Sequence, residues 1–212
     1  RIDLLPATTI RLLSVGAVLG KEFDLFTASK LAQQTPTQAI AALREAQRRH
    51  IVWSKAVDDR CVFLHDKLRE SLLDRLSEPI RSELHLRAAL DLESRDPDRV
   101  YDLAFHFDAA GASQRALPFA LKAAEQALAR TALELAEQQY RIAERGVSQS
   151  DEATRYRIYQ GLGNVLMLRG LYPPAAEMFE AASELTRDNQ TRAEIDGRLG
   201  ELAFKQGDNQ SA

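Results

Sequence analysis

The chain has 212 residues, 45% hydrophobic and 28% charged, with a formal net charge of −3. That is ample apolar content for one large or two ordinary domains, while the charge is too mild to imply a nucleic-acid or membrane surface by itself. Cys61 is the single cysteine, which excludes an internal disulfide and makes a reducing cytoplasm the default location. No His/Cys group has metal-ligand spacing, and no apolar run approaches the roughly 20 residues needed to cross a bilayer. Charge is divided unevenly: residues 1–95 carry 15 Lys and Arg against 13 Asp and Glu, residues 96–212 carry 13 against 18. Arg1 in place of a methionine, and a stop soon after "KQGD", lead to the expectation of a piece of a longer protein.

In chain order, Ile10, Leu13, Ala17 and Val18 recur at helical spacing and predict a buried helix from Pro6 to Leu19, ended near Gly20. A second helix is expected from the natural N-cap Asp24 to Gln34. Thr35-Pro36 supplies a cap and a first-turn proline for a third, which runs to about His50. "IVWSKAVDDRCVFL" then reads as two short β-rich runs around the polar turn Asp58-Asp59-Arg60, a hairpin. Three helices plus a β-hairpin describe a winged-helix domain over residues 1–76, its last helix running from about His65 to Leu76. Ser77 caps a fifth helix bearing Ile80, Leu84, Ala88 and Leu92. This helix and the charged, proline-containing "SRDPD" make residues 77–97 a connecting helix and linker.

From residue 98 to 212 the pattern is helical throughout, with turns expected at Gly111, Gly146, Gly170 and Gly207. "YQGLGNVLMLRGLYPPAAEMFEAASELTR", residues 159–187, resembles a tetratricopeptide repeat. Tyr159, Leu162, Gly163, Leu166, Gly170, Tyr172, Ala175, Phe179 and Ala182 fall where that repeat places bulky, small and turn residues. Gly163 and Ala175 let two helices approach closely, and Phe179 and Leu166 fill the space between them. "LGELAFKQGD" repeats the first part 37 residues on, and "LAFHFDAAG" with Ala116, Ala120 and Ala123 is a looser copy. The fold class is therefore mainly α: a winged helix followed by an α-α superhelix of tetratricopeptide-like repeats, truncated at its C-terminal end.

Few residues point to chemistry. "GAVLGKE", residues 16–22, has three residues between its glycines where a phosphate loop needs four, and Glu22 where Ser or Thr must meet magnesium. No nucleophile has an activating base, so the chain reads as no enzyme, with no catalytic residue and no metal site. His85 and His106 lie inside amphipathic helices and read as buried structural histidines, and Cys61 reads as a small core residue. Arg44, Arg48 and Arg49 near the end of the third helix, with Lys55 and Arg60 in the wing, form a basic set. In a DNA-binding winged helix such a set meets the major groove and phosphates. Glu45, Asp58 and Asp59 among them oppose that, and the alternative is a contact with another part of the same protein. His65-Asp66 also has two readings. Asp66 can cap the helix, with Glu70 adding first-turn charge. His65, delivered to the same helix start, can instead donate a hydrogen bond to a phosphate oxygen.

Taken together, "LLSVGAVLGKEFDL", "FLHDKLRESLLDRL", "LHLRAALDLE" and "LAFHFDAAG" with its repeats resemble the region behind the nucleotide-binding module of bacterial STAND signalling ATPases. The resemblance extends over nearly the whole chain. In the related NB-ARC proteins a Met-His-Asp motif ends the wing and its histidine contacts the β-phosphate of ADP. Leu64-His65-Asp66 matches that motif with leucine for methionine, a change conservative in volume. The resemblance implies a cytoplasmic regulatory fragment that holds no cofactor itself. ATP or ADP with Mg would belong to the upstream core of the parent, and a protein or peptide partner to the repeats. The rival expectation is a winged-helix transcriptional regulator whose repeats oligomerise or bind an effector.

Overall fold

A computed structural model describes residues 2–54, 60–149 and 151–207. It contains, among the described residues, eleven α-helices and three short strands. None of those helices is long and apolar enough to cross a membrane. The chain divides into two compact units, Arg1–Ser94 and Arg95–Ala212.

The first unit begins with a short 3-10 turn at Ile2–Leu4, then α1 (Ala7–Leu19), β1 (Glu22–Asp24), α2 (Leu25–Leu31) and α3 (Pro36–Arg48). β2 (Val52–Ser54), β3 (Arg60–Phe63), α4 (Asp66–Leu73) and α5 (Glu78–Arg95) complete it. Caps set the helix starts. The Asp24 carboxylate accepts from the Thr27 amide at 2.7 Å, and Thr35 and Gln38 form a reciprocal capping box ahead of Pro36. The core is built from bulky side chains that are completely enclosed, among them Leu12, Leu13, Ile51, Phe63 and Leu72, with Phe23 and Phe63 in ring contact at 5.4 Å. Cys61 is buried among them as a small core residue.

Two features depart from the sequence reading. The hairpin strands β2 and β3 pair antiparallel, but β1 joins on the other side of β3, giving a three-stranded sheet in the order β1-β3-β2. Three residues, Glu22 to Asp24, are too few to display an alternation that could be read in advance. The turn expected at Asp58-Asp59-Arg60 falls mostly outside the described residues; Arg60 itself opens β3. Second, α5 is no free connector. Leu84 and Ala88 belong to the same core as α1 and the sheet, Lys30 meets Asp91 at 2.6 Å, and Arg87 donates to the Leu31 carbonyl at 2.9 Å. The two units divide at Ser94, in the "SRDPD" stretch that was expected to be linker, and α5, expected as a connecting helix, belongs to the first of them.

The second unit is α6 (Val100–Ala109), α7 (Ser113–Ala129), α8 (Leu133–Gly146), α9 (Glu152–Leu168), α10 (Tyr172–Leu185) and α11 (Asn189–Gln206). Successive helices pack on one another through faces rich in alanine. Ala116, Ala120, Ala123, Ala136, Ala143, Ala175 and Ala182 are all fully buried. Phe179 and Leu166 fill the space between α9 and α10, and a Cβ on Gly163 would stand 2.9 Å from the Phe179 ring. Leu162 is enclosed beside them, while Tyr159 and Tyr172 are half-buried. Gly146 ends α8 instead of forming a turn, and its missing side chain lets the Ser113 carbonyl approach.

One turn recurs in both units. At Gln33, His50, Gly111, Thr131 and Gly170 the backbone is left-handed, with φ between 55° and 75°. In each case the next amide reaches back five residues, as in Ala112 to Phe107, Ala132 to Ala127 and Leu171 to Leu166, all at 2.9 Å. This is the Schellman helix ending, which satisfies carbonyls that the last helical turn leaves open.

Candidate functional site

The sheet places the candidate sensor. β3 leaves the core at Phe63, whose amide donates to the Lys21 carbonyl at 2.9 Å; the Leu64 amide donates to Ile51 at 3.0 Å. These two bonds hold both neighbouring strands against the exit of β3. His65 follows as the N-cap residue of α4, with φ −136° and ψ 126°. Its side chain is exposed and makes no capping hydrogen bond. The imidazole is thus offered to solvent at a helix start, where unpaired amides favour an anion.

Asp66 does not cap α4. It occupies the first helical position, and its carboxylate meets Lys21 Nζ at 3.0 Å. The cause is the unforeseen strand: pairing of β1 with β3 draws Lys21 alongside the start of α4. Lys21 is the residue that sequence reasoning missed at this site. Lys21 belongs to "GAVLGKE", which is no phosphate loop: Gly16, its first glycine, lies inside α1 against Phe23. Lys21 offsets the charge of Asp66 beside the histidine, so an anion approaching His65 meets a neutral pair. Both partners are more than half exposed, so the pair adds little stability.

The basic set is largely occupied. Arg48 and Arg49 both grip Glu45, at 2.6 and 2.9 Å, as neighbours one helical turn apart on α3. Arg60 meets Glu22 at 2.8 Å across the β1–β3 pair. Arg44 is exposed and, among the described residues, meets no carboxylate; with Ala41, Gln47 and Arg48 it lines a shallow depression. Lys55 lies outside the described residues. His85 stands apart from this site, enclosed on α5; burial above all, then Arg81 and Arg69, lowers its pKa to about 4, so it is neutral at pH 7. His106 is likewise buried. Among the described residues no group of acidic, histidine or cysteine side chains could hold a metal ion.

In the second unit charge pairs span non-adjacent helices. Arg145 of α8 holds Asp108 of α6 through two bonds, at 3.0 and 2.6 Å, and Arg157 of α9 meets Glu125 of α7 at 2.7 Å. Such pairs bridge helices that are not neighbours in sequence, with their arginines about half exposed.

This arrangement of a small sheet among helices followed by stacked helical hairpins has a counterpart among solved structures. The chain is similar to a STAND protein. That protein, from Pyrococcus horikoshii, is described as a Signal Transduction ATPase with Numerous Domains with a tetratricopeptide repeat sensor. The likeness covers 99% of this chain with a TM-score of 0.57 at 15% sequence identity, and at that identity it shows the fold alone. The chain spans about a third of the matched protein, 31% of its length. No protein-family model matches the chain, and neither does any curated protein. The fold is thus mainly helical and tetratricopeptide-like, with a small sheet in its first unit.

Proposed function

We propose that these residues are the winged-helix and repeat part of a STAND-type regulatory ATPase, coupling a partner bound on the repeats to the nucleotide state of an upstream core. The reading is supported by the element order α1-β1-α2-α3-β2-β3, which is that of a winged helix, and by the likeness to a protein whose sensor is a tetratricopeptide repeat. The observation that carries it is the exposed His65 ring at the exit of β3, engaged in no capping bond. A buried ring would have left the switch without a sensor.

The nucleotide, ATP or ADP with Mg, belongs in this reading to the core, where it supplies the free energy of hydrolysis. The residues here fit one contact to it and no more: His65 would donate to a phosphate oxygen, and the Lys21–Asp66 pair keeps the neighbouring carboxylate from repelling that anion. Transmission, not catalysis, is the task of this part. A partner on the repeats would shift the closed and open states by its differential affinity for the two. A cytoplasmic setting suits this role. The DNA-binding alternative is disfavoured by the pairing of Arg48, Arg49 and Arg60 with carboxylates, which lowers the counterion release available to drive binding.

In the full-length parent, His65→Ala should speed ADP release by about tenfold, the equivalent of one charge-assisted hydrogen bond. An unchanged ADP release rate would remove the sensor. Gel-shift titration with duplex DNA showing tight binding and a steep salt slope would favour the DNA reading instead.

A further inference from the structure

We draw no further inference here: the strongest candidate, the open groove between α1 and α5 of the first unit with Ile80 half exposed on one wall, carries nothing because the structure does not show what covers it.

Discussion

The two units of this chain solve the same problem with different materials. The first encloses large side chains contributed from distant parts of the sequence: Phe23, Ile51, Phe63, Leu72 and Leu84 share one core, and β1 pairs with a strand 38 residues further on. The second packs alanine-rich faces between helices that are neighbours in sequence, with larger side chains such as Leu103, Phe107, Ile158, Leu162, Leu166 and Phe179 filling the space between them. A core of many non-local contacts is lost or kept as a whole, whereas stacked hairpins derive stability from each unit and its neighbour. The sensor candidate therefore rests on the cooperative part, and the repeats, on which a regulatory partner is proposed to bind, on the part free to adjust locally.

Truncating a filler in each unit gives the largest effect and tests this contrast directly. Phe63→Ala and Phe179→Ala should each cost about 3–5 kcal/mol in denaturant unfolding. Hydrogen exchange should then show protection lost throughout residues 2–94 in the first, but mainly in α9, α10 and α11 in the second. Uniform loss over the whole second unit would break the comparison.

Close approach supplies the next test. Gly146→Ala drives a methyl group into the Ser113 backbone, which cannot yield as a side-chain tip can, and should cost about 2–3 kcal/mol. Gly197→Ala, on an exposed stretch of α11 with nothing near, should instead gain up to about 1 kcal/mol. If both lower the midpoint alike, packing is not what keeps Gly146.

Acid should separate the units through His85. Its folded-state pKa is lowered from 6.5 to about 4, so the fold holds the ring neutral while the unfolded chain takes up a proton. The contribution is therefore complete above pH 6.5 and is lost as pH falls from 6.5 towards 4, amounting to about 3 kcal/mol. Unfolding of residues 1–94, followed by exchange, should show this loss, and His85→Gln should flatten it. An unaltered pH slope in the variant would assign the loss to carboxylates.

The smallest effect concerns the recurring turn. Thr131 adopts a left-handed backbone, φ 59°, in the place where Gly111 and Gly170 sit in the corresponding turns. Thr131→Gly should raise stability by about 0.5 kcal/mol, and Gly170→Thr should lower it by about 1 kcal/mol. Opposite signs from these two would support the turns being equivalent, and a destabilised Thr131→Gly would break that equivalence.

Where a local rule acts, the sequence was legible. Asp24 and Thr35-Pro36 announced helix starts, and Gly111 and Gly170 announced endings, because capping and left-handed backbone depend on a few adjacent residues. Gln33, His50 and Thr131 form the same turn without glycine, so they gave no such notice. The spacing of Leu162, Gly163, Ala175 and Phe179 foretold a close helix pair, and the pair is found between α9 and α10. At the candidate site, the position of His65 at a helix start was readable, and the ring is exposed as its reading as a phosphate contact requires.

By itself the sequence determined the helices, most of their ends, the hairpin strands and the repeat spacing, since these follow from periodicity and from the conformational preferences of neighbouring residues. Only the tertiary structure decided that three residues at Glu22–Asp24 become a strand, that Lys21 takes Asp66 away from its capping role, that Glu45 and Glu22 occupy three of the arginines, and that α5 belongs to the first core. Each of these depends on groups tens of residues apart, apart from the Glu45 pairs, where several partners compete within one turn. Pattern along the chain carries no record of which distant or competing partner wins, because that is settled by the free energy of the assembled contacts.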